Sequence, residues 1–351
     1  MNTAFTSLSA QQRKNAIERL TALWAFTESG LGGIMHALQI PFTGLVVGGM
    51  AVVIISMIAA LTTHHCRKII TSALVVLIVK AIVSPYTPFT AYIAVVFQAL
   101  LGFGLYSLFR VNFISIVLLC VITMLESAIQ KLLVLTLFFG ASLWKAMDSM
   151  VALIANQFGI IILNGSYWIV GIYLVIYLCA GFFIAWLTYR IIKTYSVNLP
   201  AFQIEIIPVL NVAETVANRN WYKKIVVLVG LMLFLSVLLF VFAADKKQGW
   251  LEVTKTISWT LSAIFIWFML IGPLLTNAFK KLLHKKRGKY SDEVLGILSF
   301  LPVLKIMARV VWQQSKTYKG FKRWSFFLSS LIHAALTYSE PGPTEFSNNK
   351  I

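Results

Sequence analysis

Residues 44–63 read GLVVGGMAVVIISMIAALTT, a run of small and apolar side chains without a charged residue. Its length matches the ~20 residues that an α-helix needs to cross the hydrocarbon core of a bilayer. The apolar residues do not alternate strictly with polar ones, which favours a helix over a strand of a membrane barrel. Gly44, Gly48 and Gly49 in this run, with Gly102 and Gly104 in a later one, permit close helix packing.

Further runs of the same character predict an all-α integral membrane protein with about eight transmembrane helices. The eight runs lie at 18–38, 44–63, 68–84, 91–109, 112–140, 166–190, 224–244 and 256–279. The run at 112–140 is longer than one perpendicular crossing, so we expect it to tilt or to project from the membrane. The residues at 142–162 are apolar but carry several polar side chains, which predicts an interfacial helix and a short loop.

The overall composition agrees with this class. Of 351 residues, 59% are hydrophobic and only 12% are charged, whereas a soluble domain has about 25% charged residues. Lys and Arg number 30 against 12 Asp and Glu, which gives a formal net charge of +18. In so apolar a chain this excess indicates basic cytoplasmic loops beside anionic lipid, and no nucleic-acid partner is expected.

The positions of the basic residues predict the orientation. Arg13 and Lys14 precede the first run, Arg67 and Lys68 lie between the second and third, and a basic cluster at 280–289 follows the eighth. All of them fall on the same side of the membrane if the N-terminus is cytoplasmic, as the positive-inside rule requires. We therefore expect a multi-pass protein of a cytoplasmic membrane with its N-terminus inside the cell.

The spacing of the runs also predicts the domain organisation. A six-span domain at 1–195 precedes a cytoplasmic linker at 196–221, and a second domain at 222–338 holds two spans and a basic segment. Apolar residues recur at helical spacing in that basic segment, which predicts two cytoplasmic amphipathic helices, with a kink at Pro302 and a break at Gly320. Such helices lie along a membrane or receive a partner. The tail at 339–351 is expected to be disordered.

Polar side chains inside the apolar runs are the candidate binding site. A charged residue in the hydrocarbon core costs roughly 2.5–3.5 kcal/mol, so it usually faces a cavity or a partner. The candidates lie at similar depth toward the predicted outer leaflet and are Glu28, His36, Lys80, Gln98, Glu126, Gln130, Lys131 and Asn156. Together they predict a cup for a small polar or zwitterionic solute. The alternative is that the two glutamates and two lysines pair with one another between helices.

Four stretches of the first half resemble the substrate-binding S component of energy-coupling factor (ECF) transporters. They are QIPFTGLVVGG at 39–49, KAIVSPYTP at 80–88, QALLG at 98–102 and ESAIQK at 126–131. The resemblance covers roughly residues 1–190 and includes the number of spans. It implies a six-helix bundle in a bacterial cytoplasmic membrane that binds a vitamin-like solute from the outside.

The second half is similar to the T component of the same transporters, in a degenerate form. LSFLP at 298–302, followed by a basic helix, carries this similarity. In that family two long cytoplasmic helices dock on a pair of ATPases, which implies an ATPase-coupling role for Arg309, Lys316, Lys319 and Arg323. The usual Ala-Arg-Gly-like ends of these helices are matched only by Ala308-Arg309 and Tyr318-Lys319-Gly320, and two spans are fewer than a T component usually has.

The sequence therefore predicts a membrane subunit of an ECF-type importer. No phosphate-binding glycine loop with its lysine is present in the chain, so ATP is expected in the partner subunits and no cofactor, metal or catalytic residue is expected here. Two alternatives remain open. One is a membrane scaffold that holds a cytoplasmic partner, and the other is an integral membrane enzyme acting on lipid, with His36 or Glu126 as a general base.

Overall fold

The computed structural model describes residues 9–32, 35, 42–62, 66–84, 87–162, 164–197 and 288–337, with isolated residues between 254 and 281. Within these ranges the regular secondary structure is helical and contains no strand, which confirms the predicted all-α class. Five of the described helices are long and apolar enough to cross a membrane. The chain is therefore compatible with a membrane-embedded protein.

Eight α-helices lie in the described ranges. They are α1 (Ala10–Phe26), α2 (Thr43–Leu61), α3 (Arg67–Val83), α4 (Phe89–Phe109), α5 (Phe113–Gln157), α6 (Gly165–Val197), α7 (Ser291–Ser315) and α8 (Gly320–Thr337). A π-helical turn, Thr27–Leu31, extends α1, and a 3₁₀ turn, Gly288–Tyr290, precedes α7. Ser9 begins α1 with a capping box, because its hydroxyl accepts from the amide of Gln12 while the Gln12 side chain accepts from the amide of Ser9.

The five candidate spans are α2, α4, α5, most of α6, and α7. Helices α1 and α3 have 17 residues each and fall short of this length. The runs predicted at 224–244 and, apart from isolated residues, at 256–279 lie outside the described residues. Helix α7 belongs to the segment predicted as cytoplasmic, yet it has the length and apolar character of a membrane span.

Helix α5 is longer than predicted and changes direction at Gly140. Gly140 has φ of +63°, a left-handed conformation that a residue with a Cβ adopts only with strain. Helical hydrogen bonding resumes after it and continues to Gln157, so the segment predicted as an interfacial helix begins as the second part of α5. The indole Nε1 of Trp259 donates to the carbonyl of Leu137, 3.1 Å away, beside this break.

Helix α2 lies at the centre of the bundle and contacts α1, α3, α4, α5 and α6. Within its most apolar stretch 78% of the residues are buried, against 22–39% for the other four candidate spans. Close approach depends on Gly49 and Gly102, two of the five glycines that the sequence singled out, whereas Gly104 has no described atom near its Cβ position. A Cβ added at Gly102 would lie 2.6 Å from Cγ2 of Ile55, and one added at Gly49 would lie 2.8 Å from Cδ1 of Ile184.

Helices α7 and α8 form a hairpin that packs on the first part of the chain. The boundary at Gly320 is found as predicted, with φ of +56°, and Pro302 lies inside α7. Helix α7 contacts α1 and α3, and α8 contacts α1. Buried residues of both helices, Leu304 and Leu331 among them, belong to the same hydrophobic core as α1 to α6.

Candidate functional site

A buried ion pair joins the π-helical turn to α3. Nζ of Lys80 lies 2.6 Å from a carboxylate oxygen of Glu28, and the two side chains are 3% and 5% exposed. The π-helical turn and α3 thus each contribute one charged side chain to the same place in the bundle. Because each charge is matched by the other, the pair satisfies the requirement that a buried charge has a partner.

The start of α4 completes the surroundings of Lys80. Nζ of Lys80 also donates to the backbone carbonyl of Ala91 at 3.2 Å, and it lies 5.7 Å from the centre of the Tyr92 ring. The preceding carbonyl in the chain, that of Thr90, accepts a 2.9 Å hydrogen bond from Nε2 of Gln130 on α5. Two neighbouring carbonyls of α4 therefore tie it to α3 on one side and to α5 on the other.

A second polar region lies between α4 and α5. Gln98 of α4 is 2% exposed, and its Oε1 finds no hydrogen-bond partner among the described residues. Oε2 of Glu126 and Oγ1 of Thr123 on α5 are likewise buried and unpaired within the described part of the chain. Such unpaired buried atoms are rare in folded proteins, and each one requires an explanation.

Helical spacing gathers the polar residues of α5 on one side. Thr123, Glu126, Ser127 and Gln130 fall within a sector of about 100° at 3.6 residues per turn. Sequence analysis missed Thr123, although its spacing of three and four residues from Glu126 and Ser127 is the signal that finds it. We call this group, together with Gln98, the α4–α5 polar face.

Two glycines of α2 border this face. A Cβ added at Gly48 would lie 3.4 Å from Nε2 of Gln98 and 3.7 Å from Oγ of Ser127. A Cβ added at Gly44 would lie 3.4 Å from the same hydroxyl oxygen. A side chain at either position would therefore be in van der Waals contact with these polar groups.

Three predicted site residues do not join this arrangement. The side chains of Lys131 and Asn156 are exposed, and Asn156 lies in the last turn of α5, beyond the Gly140 break. His36 lies outside the described residues. The predicted set is therefore divided into the Glu28–Lys80 pair and the α4–α5 polar face, which contains Gln98, Glu126 and Gln130.

The predicted coupling residues lie on the α7–α8 hairpin. Arg309, Lys316 and Lys319 are exposed, and the two lysines flank the short turn between the helices. Arg323 is half-buried instead. Its guanidinium carbon lies 4.4 Å from the centre of the Trp312 ring, and its Nε donates to Oγ of Ser315 at 3.4 Å. The first three cations are thus available to a partner, while Arg323 stabilises the hairpin.

Other chemistry finds little support in the described residues. They contain no group of three or more His, Cys, Asp or Glu side chains arranged to hold a metal ion. Comparison with known proteins finds no matching family model, no matching curated protein and no matching solved structure. The function is therefore argued from the geometry of the chain itself.

Proposed function

We propose that this chain is the solute-binding membrane subunit of an ECF-type importer in a bacterial cytoplasmic membrane, with separate ATPases supplying the energy. The observation that carries the proposal is the unpaired Oε1 of Gln98 in the middle of a helix bundle. A buried polar atom left without a partner costs about 1–3 kcal/mol. A solute that binds there supplies the missing partner.

Some buried polar groups of the bundle are paired and others are not, and this difference supports a binding role for the α4–α5 polar face. Lys80 and Glu28 satisfy one another, so this pair has a structural explanation. Glu126 and Gln98 have no such explanation, because the oxygens in question are buried and unpaired within the described residues. The polar groups that remain are those that a vitamin-like solute would contact.

The α7–α8 hairpin supports the coupling part of the proposal. Arg309, Lys316 and Lys319 present exposed positive charge at one end of a hairpin that packs on α1 and α3. A docked ATPase would transmit its movement through those packing contacts to the bundle. Orientation with the N-terminus inside the cell, inferred from the basic residues, would place this end of the chain within reach of a cytoplasmic partner.

The test is purification of the full chain from its native membrane, followed by measurement of ATP hydrolysis and of ATP-driven uptake in liposomes. We expect an ATPase pair to co-purify and to be lost on the combined change Arg309→Met, Lys316→Met and Lys319→Met. Lys305→Met is the matched control, since Lys305 is also exposed on α7 but lies outside the predicted set. If the triple variant retained the ATPases, or if uptake did not depend on ATP, the proposed importer function would be rejected.

A membrane scaffold is the second candidate function. It is favoured by the packing of Arg323 on Trp312, which presents a basic and aromatic surface where Trp312 and Trp324 remain 37% and 43% exposed. In that case the triple variant would release a partner without ATPase activity, and no solute would stabilise the protein.

A further inference from the structure

We propose that the α4–α5 polar face binds the cationic head of a solute, an ammonium or guanidinium group that donates N–H hydrogen bonds. The inference rests on the proposed solute-binding role and narrows it from a polar or zwitterionic solute to a cationic one. Two observations carry the inference. One is that the buried lysine already has a counter-charge, and the other is the type of hydrogen-bonding group that has no partner.

The positive charges available for an anionic solute are few. Lys80 is matched at 2.6 Å by Glu28 and donates a second hydrogen bond to the carbonyl of Ala91. Lys131, the other lysine predicted for the site, is exposed. A carboxylate or phosphate entering between α4 and α5 would therefore meet the carboxyl group of Glu126, and neither of these two lysines would offset its charge.

Two of the three buried unpaired atoms of the face are acceptors when a cation is bound. Oε1 of Gln98 can only accept, and Oε2 of Glu126 accepts when the carboxyl group is ionised, a state that a bound cation favours. The hydroxyl of Thr123 can donate or accept. A ligand that satisfies this set must bring donors, and an ammonium or guanidinium group brings three to five of them. Hydrogen bonds of such a group to a carboxylate are about twice as strong as neutral ones.

The neighbouring glycines border the proposed site. Position 48 approaches Gln98 and Ser127 so closely that even a methyl group there would be in contact with both. A side chain at position 48 would therefore contact the same polar groups that the head group is proposed to contact.

The experiment compares three probes of similar size that differ in charge: butylammonium, butyramide and butyrate. Each is added to the purified full chain in detergent, and the Tm is measured. We expect butylammonium to raise the Tm, butyramide to raise it less, and butyrate to leave it unchanged. Glu126→Gln should abolish the shift with butylammonium, and the matched control Glu18→Gln, an exposed glutamate on α1, should retain it.

Several results would overturn the inference. They are a Tm rise with butyrate, an equal rise with butylammonium in the native chain and in Glu126→Gln, or no rise with butylammonium up to its solubility limit. Gln98→Met serves as a second variant if Glu126→Gln does not fold, and it too should diminish the shift. The outcome is separate from that of the importer, because binding of a cation with no ATP-dependent uptake would reject ATP coupling and leave the ligand class standing.

Discussion

Arg19 of α1 donates a 2.7 Å hydrogen bond from its Nη1 to the backbone carbonyl of Leu336, a residue 317 positions later in the chain. Leu336 belongs to the last turn of α8, whose final carbonyls have no partner within the helix. The positive guanidinium also complements the partial negative charge at this end of the helix. One side chain thus attaches the last described helix to the first.

We expect Arg19→Met to loosen α8. Loss of a hydrogen bond to a charged group costs about 1.5–3 kcal/mol, and Met keeps the apolar part of the side chain. The Tm in detergent should fall, and proteolysis near the end of α8 should become faster. Lys14→Met is the matched control, because Lys14 is 64% exposed and forms a long ion pair with Glu18, at 3.8 Å, within its own helix. Equal Tm values for the two variants would contradict a role for the Arg19 contact.

Lys80→Met should destabilise the bundle strongly. Removal of one member of a buried ion pair leaves the other charge uncompensated and costs about 3–5 kcal/mol. The double change Lys80→Met with Glu28→Gln should recover much of that loss, since it removes both charges. Tm measurements on the single and double variants test this. Lys131→Met, which alters an exposed lysine, should change stability by less than about 0.5 kcal/mol; a comparable loss there would reject the assigned pairing.

Gly102→Ala and Gly104→Ala should differ although the positions are two residues apart on α4. A Cβ at Gly102 would lie 2.6 Å from Cγ2 of Ile55, whereas no described atom lies within 4 Å of a Cβ at Gly104. Overpacking costs about 1–3 kcal/mol. Replacement of an unhindered helical glycine by alanine gains about 0.5–1 kcal/mol. Unfolding by denaturant should therefore give opposite signs for the two variants, and equal signs would contradict the packing of α4 on α2.

Acid should weaken the attachment of α8 through His333. His333 is buried on α8 beside the ring of Tyr195, and burial lowers its pKa from the ordinary value of about 6.5. The unfolded chain therefore binds the proton more readily than the folded protein below that pH. The stability contributed by neutral His333 is present above about pH 6.5 and is lost as the pH falls toward the lowered pKa. His333→Gln should flatten the fall in Tm between about pH 7 and pH 5; an unchanged slope would show that other groups cause it.

Much of the helical pattern could be predicted from the sequence where polar residues flank an apolar run. The predicted runs 44–63 and 91–109 agree with α2 and α4 to within two residues at each end. The extent of α5 could not be predicted. Its continuation past Gly140 depends on contacts with α6, such as the 2.7 Å hydrogen bond that Asp148 accepts from the amide of Ser166. Those contacts bring together residues from different helices, which composition and spacing do not reveal.

The candidate site could be predicted only as a set of residues. The predicted depth of Lys80 in the membrane was compatible with a contact to Glu28, to Glu126 or to a solute. The contact that forms depends on how the π-helical turn packs against α3, because Glu28 and Lys80 are 52 positions apart in the chain. Exposure of Lys131 could not be predicted either. It follows Ser127 by four residues, which places the two only about 40° apart around α5. The division into one matched pair and one unmatched polar face requires the three-dimensional arrangement.

Helix α2 carries a long uncharged run and yet is mostly covered by protein. In a finished bundle its apolar residues touch side chains instead of lipid, so contact with lipid in the final structure does not explain their character. A polypeptide enters the bilayer before its helices associate. During that interval α2 carries no charge that requires a partner, whereas Lys80 of α3 does. Since Glu28 precedes Lys80 in the chain, the counter-charge is synthesised before the lysine with which it pairs.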